Sequence, residues 1–218
     1  MLKNKFFVTL LAAFLCVGGV LLFRTFKPDP EALLKKRVAE RSLGDPKAGF
    51  WITEYYDYQC PPCGSARKLL DDVMKRFPGK IYLQVRYFPL PAHKNALSAA
   101  VHAECASRQP GHFWAFHEQL FEHQQEWAMD PYASLKFLNY AQSAGIDTPR
   151  WDACAKDPET EKYVLEEKKK GEALGIKITP SFFVNGKLVV GVNGLSDALK
   201  ELEPKAAPSV EPQAPAAS

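Results

Sequence analysis

Strong charge imbalance is missing from this chain. Its 28 Lys and Arg against 25 Asp and Glu leave a formal net charge of +3, and such a balance gives no reason to expect a nucleic-acid partner. Cysteine is also scarce, with five in 218 residues, and only Cys60 and Cys63 stand close together. A zinc site built on that pair needs further Cys or His ligands at short spacing, whereas Cys105 and Cys154 each stand alone. His112, His117 and His123 fall near one another without the i, i+4 spacing of a helical metal pair. They read as surface or interhelical histidines. No Ala-x-Ala-like site closes the apolar run at the N-terminus.

What is there centres on Tyr55-Tyr56-Asp57-Tyr58-Gln59-Cys60-Pro61-Pro62-Cys63. Upstream, Phe50 to Tyr56 is rich in the aromatic and β-branched residues of a strand. Downstream, Ser65 to Phe77 places Ala66, Leu69, Leu70, Val73, Met74 and Phe77 on one helical face. The Cys-x-x-Cys pair therefore sits where a strand hands over to a helix. A helix N-terminus favours negative charge, and the thiolate is the nucleophile. Cys60, at the exposed start of the turn, is expected to attack, with Cys63 one turn in as the resolving thiol. Half of a zinc site and a structural clip are the competing readings. Pro61 and Pro62 count against metal, because they remove N–H donors that bond to metal-bound sulfur.

Residues 1–27 read as a signal or membrane anchor. Lys3 and Lys5 precede eighteen uncharged residues, Phe6 to Phe23, a helix length of about 27 Å that just spans a bilayer core. Leu15 argues against lipoprotein processing at Cys16, and an uncleaved anchor is preferred to a cleaved signal. Residues 28–47 read as a linker, helical or featureless. Ile81 to Tyr87 alternates as a second strand, and a strand–helix–strand unit implies parallel pairing. Four helical stretches follow: Asn95–Ser107, Gly111–Gln124, Leu135–Ala144 and Pro158–Leu174. Strand signals resume at Ser181-Phe182-Phe183-Val184, with Asn185-Gly186 as a hairpin turn and a last helix over Gly194–Leu202. The expected organisation is an α/β core over 48–93 and 175–203, a helical insertion over 94–174, and a disordered Pro/Ala-rich tail over 204–218.

Glu54 lies in a strand that otherwise reads as buried. It either serves as a proton carrier for Cys63, with its pKa raised by desolvation, or faces water at a strand end. Cys105 and Cys154 are an even pair outside the Cys60 motif; they are expected to be bridged in an oxidising compartment, the alternative being two buried thiols. Glu166-Glu167-Lys168-Lys169-Lys170 reads as a solvated helix face. The bond before Pro180 is expected to be trans on base rates.

The run Glu54 to Cys63 resembles the active-site segment of DsbA-type thiol:disulfide oxidoreductases, exported members of the thioredoxin superfamily with a helical domain inserted in the thioredoxin fold. Arg86-Tyr87-Phe88-Pro89-Leu90, then Phe113-Trp114 with His117, then Gly175-Ile176 and Thr179 to Gly186 follow in that family's order. The resemblance covers residues 48–203. It implies Cys60 as nucleophile, Cys63 as resolving thiol, Glu54 as the buried acid and Pro180 as a cis-proline, with Thr179 lining the substrate groove. It also implies Cys105–Cys154 as a structural disulfide. Strongly oxidising members have His where this chain has Pro62, so a less oxidising couple is expected. The implied activity needs no cofactor and supports disulfide formation in cysteine-containing exported clients. Reduction or isomerisation is the alternative, and a non-catalytic chaperone or a copper-handling protein is a more distant one. The implied setting is the bacterial periplasm, tethered to the inner membrane through residues 6–23 or soluble after cleavage. A membrane redox partner would reset the dithiol.

Overall fold

Residues 30–203 are described by the structure, a computed structural model. The proposed signal or anchor over 1–27 and the tail over 204–218 lie outside them. Among the described residues no helix is long and apolar enough to cross a membrane. In chain order the elements are α1 (Pro30–Glu40), β1 (Ser42–Leu43), β2 (Phe50–Tyr56), α2 (Pro61–Arg76), β3 (Ile81–Tyr87), α3 (Ala96–Ser107) and α4 (Phe113–Glu122). There follow α5 (Gln124–Trp127), α6 (Ala133–Ser143), α7 (Thr148–Ala155), α8 (Pro158–Ala173), β4 (Ser181–Val184), β5 (Lys187–Val190) and α9 (Gly191–Leu199), then a 3-10 turn at Lys200–Leu202. Helix α1 straddles the border, at residues 38 and 39, between two units of the chain. The sheet and every helix after α1 belong to the second.

Alternation builds the middle of the sheet. Strand β3 buries Ile81, Leu83, Val85 and Tyr87 and leaves Tyr82, Gln84 and Arg86 half-exposed. It runs parallel to β2, with Phe50 opposite Ile81 and Tyr56 opposite Tyr87, and α2 supplies the crossover that parallel pairing needs. Strand β4 pairs antiparallel with β2, placing Glu54 opposite Phe182. Asn185 and Gly186 turn β4 into β5 with φ of 48° and 82°, the positive values a tight hairpin demands. The sheet order is β1-β3-β2-β4-β5, a thioredoxin-like mixed sheet.

The linker reading of 28–47 needs correction. Residues 42–43 pair with β3, and Arg41 is wholly buried. A buried guanidinium survives only when its donors are matched. Arg41 gives two 2.7 Å bonds to the Glu167 carboxylate and a third, also 2.7 Å, to the Tyr163 hydroxyl. It also lies 4.4 Å from the centre of the Tyr87 ring. Glu167 is therefore not on a solvated face. Burial pushes its carboxyl up, but Arg41 and then Arg86 outweigh this and hold it at about 2. The same carboxylate accepts the Tyr87 backbone N–H at 3.3 Å, so α8 is fastened onto β3.

Helices α3 to α8 separate β3 from β4. Cys105 of α3 and Cys154 of α7 are joined by a disulfide, and the Trp151 indole donates to the His102 carbonyl beside it. Close approach of α8 to the sheet relies on Gly171. A Cβ there would meet the Tyr55 ring at 2.9 Å and Phe88 at 3.0 Å.

Candidate active site

Helix α2 begins at the dithiol. Cys60 occupies the cap position with extended backbone (φ −78°, ψ 116°), and Pro61 and Pro62 fill the first two helical positions. Proline suits those places because its missing N–H would have no intrahelical partner and its φ is already helical. This is why the helix starts four residues before the apolar periodicity does. Cys60 and Cys63 are both free thiols.

Cys60 is not exposed. Only 5% of it is accessible, and Cys63 is wholly buried. The Cys60 Sγ lies 3.5 Å from the Thr179 carbonyl oxygen, so the segment before β4 covers the nucleophile. The Thr179–Pro180 peptide bond is cis, as the family resemblance implies and against the base rate for X–Pro bonds. That segment is held in place by the Ser181 hydroxyl, which donates to the Ile178 carbonyl at 2.7 Å, and by the Gly191 N–H, which donates to the Pro180 carbonyl at 2.9 Å. Among the described residues the buried Thr179 hydroxyl has no hydrogen-bond partner.

Electrostatics divide the two sulfurs. A hydrogen bond from the Cys63 thiol brings Cys60 down to about 6, outweighing the opposing cost of burial, with Thr179 and the Cys63 backbone N–H adding to it. Burial, followed by the neighbouring Cys60, pushes Cys63 well up. The pair therefore holds one ionisable sulfur and one protonated sulfur at neutral pH. Glu54 is 2% exposed, which removes the reading of a strand-end carboxylate facing water. Burial raises it to about 8, with Arg67 opposing and Asp71 and Cys60 adding to the rise.

A family model described as thioredoxin matches residues 36–203. The chain belongs to the thioredoxin family. Among solved structures, this family member is similar to a thioredoxin-like oxidoreductase from Silicibacter pomeroyi (27% identity, TM-score 0.60, 74% of this chain and 90% of that one). It shares its fold with α-DsbA1 of Wolbachia pipientis (22% identity, TM-score 0.62, 74% and 89%). Among curated proteins, it is 33% identical over 185 residues to a Na(+)/H(+) antiporter NhaA 1 of a Mycobacterium species. That match takes in 81% of this chain and only 29% of the antiporter.

Three features of this thioredoxin-family site were not read from the sequence. Asp57 is buried, and its carboxylate accepts the N–H groups of Gln59 (2.6 Å) and Leu90 (2.7 Å) and bonds His93 Nδ1 (2.8 Å). Its backbone carbonyl takes the Cys60 N–H at 3.2 Å. An Asp three residues before a turn-capping Cys was the available signal. His117 is not a surface residue: it is fully buried, and burial, then Arg67, push its pKa well down. Its Nδ1 is 2.9 Å from the Tyr58 hydroxyl, which in turn accepts from Tyr56 at 3.0 Å. Gln124, buried at the start of α5, donates to the carbonyls of Tyr58 and Cys60. Nothing in its sequence context marks it. Among the described residues, no three His, Cys, Asp or Glu side chains gather as a metal-holding group.

Proposed function

We propose that this chain is an exported thiol:disulfide oxidoreductase acting on cysteines of other proteins through Cys60 and Cys63. The observation that carries the reading is two free thiols one helical turn apart at the start of α2, with the Cys60 sulfur 3.5 Å from the carbonyl of the cis Thr179–Pro180 segment; this arrangement lowers Cys60 and raises Cys63.

In the direction we favour, a client thiolate attacks Cys60 Sγ of the Cys60–Cys63 disulfide and Cys63 leaves as a thiolate. Cys63 cannot stay charged where it is buried. Glu54, neutral at pH 7, supplies its proton. A second client thiolate then attacks the client sulfur of the mixed disulfide and expels Cys60 as a thiolate, a good leaving group because its pKa is low. The client gains a disulfide; the dithiol keeps two electrons and the proton from Glu54. Of the two protons shed by the client thiols, one reprotonates Glu54 and the other goes to solvent. The Thr179 carbonyl lies 3.5 Å from this sulfur, and in this reading Thr179 and Pro180 line the groove that takes the client chain. A membrane redox partner reoxidises the dithiol. The Cys105–Cys154 bridge supports an oxidising, periplasmic setting. Tethering rests on residues 6–23, which lie outside the described residues.

A specific observation favours reduction or isomerisation as the second reading. Cys60 at about 6 sits nearer the reductant end of a family range that runs from about 3.5 to about 7. Pro62 in place of His agrees with that. An insulin-reduction assay run beside oxidative refolding of a reduced client separates the two directions. Cys63→Ala should accumulate mixed disulfides in either case, and if none forms the proposed chemistry is wrong. Equilibration with glutathione to a potential near about −120 mV would contradict the weaker-oxidant reading.

A further inference from the structure

The turn that presents Cys60 is held from two sides. Within the sheet domain, Asp57 accepts the Gln59 and Cys60 N–H groups. From the helical insertion, Gln124 Nε2 donates to the Tyr58 carbonyl at 2.6 Å and to the Cys60 carbonyl at 3.0 Å. Both protons of one amide are thereby committed to two carbonyls that bracket the nucleophile. Gln124 is 9% exposed, so both bonds are kept from water and neither is readily replaced by it.

The Cys60 carbonyl takes a second donor as well, the Cys63 N–H at 3.0 Å, which opens α2. Donors on both lone pairs of this oxygen fix the first peptide plane of the helix. They also reduce the negative end of a dipole that lies beside the sulfur. Nearby, a cleft of about 850 Å³ separates α2 from α4 and α5, and Pro61, Gly64, Phe121 and Gln124 are among its lining residues. Gln124 therefore stands between that opening and the catalytic turn.

We infer that Gln124 is a positioning residue for the nucleophile: by capping the Tyr58 and Cys60 carbonyls, it holds the Cys60 side chain at the first turn of α2 and shields its sulfur from carbonyl charge. This inference rests on the oxidoreductase reading above. It assigns the helical insertion a direct part in the acidity of a sulfur carried by the other half of the fold. The Gln124 amide is committed to these two carbonyls, so its effect should be on thiolate formation and the rate of attack, with client affinity unchanged.

The test uses the full chain, reduced, with Cys60 ionisation followed by thiolate absorbance. Attack on a disulfide-bonded peptide is timed in single turnovers at pH 6. Gln124→Met keeps length and removes both donors; it should raise the Cys60 midpoint by roughly half to one pH unit and cut the thiolate present at pH 6 about two- to fivefold, slowing attack by no more than that factor. Gln124→Glu adds a like charge and should raise the midpoint further. Gln124→Lys restores a donor and should bring the midpoint back to or below the wild-type value. Gln125→Met, a substitution at the exposed neighbour, should change neither quantity. An unchanged midpoint in folded Gln124→Met and Gln124→Glu, with only stability lowered, overturns the inference. A raised midpoint in Gln124→Lys overturns it too, and this variant decides the matter if the other two do not fold. A wild-type Cys60 that titrates like an ordinary cysteine removes the oxidoreductase reading itself, so the two failures are distinguishable.

Discussion

Glu54→Gln should stabilise this protein, and by an amount that depends on pH in a definite way. Glu54 is raised in the folded chain from 4.5 to about 8. Between those values the unfolded chain releases a proton that the folded chain keeps. Folding is therefore penalised increasingly as pH rises through that window, and below it neither state is ionised. Working the two-state expression with these values gives a penalty of under about 1 kcal/mol at pH 5, about 3 kcal/mol at pH 7, and a plateau near about 5 kcal/mol above pH 8. Glutamine has the size of the neutral acid and never ionises, so the variant escapes the penalty. The assay is guanidinium unfolding of wild type and Glu54→Gln from pH 4 to 9, with the Cys60–Cys63 disulfide intact so that neither thiol titrates; this removes only the last-ranked cause of the rise, the Cys60 charge, and trims the penalty slightly. Other titrating groups are common to both proteins and cancel in the difference. A difference that is flat across pH 5 to 8 would refute the reasoning, because it would mean that burial does not hold Glu54 protonated. If Glu54 also carries the Cys63 proton, the stabilised variant should resolve mixed disulfides more slowly at pH 7, trading rate for stability.

Three further outcomes are expected. Pro62→His should lower the Cys60 midpoint below about 6 and make the disulfide more oxidising by about 30 mV for each tenfold change in the equilibrium constant, read by equilibration with glutathione. Cys105→Ala with Cys154→Ala opens a loop of 49 positions and should cost about 4 kcal/mol of stability by denaturant unfolding, the loop-closure entropy released to the unfolded chain. The same pair of substitutions should leave the Cys60 midpoint in place. Gly171→Ala drives a methyl group into the rings of Tyr55 and Phe88 and should cost about 1–3 kcal/mol, whereas Ala at the exposed helix position Lys169 should be near neutral in the same melt.

Local signals were readable where chemistry and periodicity coincide. The β3 alternation, the Asn185-Gly186 turn and the Cys60–Cys63 motif each announce themselves within ten residues, because a pleat, a positive φ and a dithiol each demand particular side chains close together. Glu54 was legible as an anomaly, a charge inside a buried pattern, but its depth was not. Long-range partners were hidden. Arg41 looks like any basic residue in a spacer until Glu167 is found 126 positions away, and Glu167 looks solvated in a run of charges for the same reason. Gln124 was silent because its two acceptors are backbone carbonyls, which leave no trace in side-chain identity. Apolar spacing shows the helix only from Ser65, because the first turn of α2 carries prolines and a capping sulfur; there the dithiol itself marks the start.

The Arg41–Glu167 bond also bears on the order in which this chain can mature. During synthesis the guanidinium emerges first, and its carboxylate partner follows only after 126 more residues. Glu104, whose carboxylate lies 4.0 Å from the guanidinium, supplies a counter-charge earlier, but the bidentate match comes only with Glu167. A product released before residue 167 would lack the carboxylate that takes two of the buried donors. The molecule thus leaves the final fit of its sheet edge to one of its late helices.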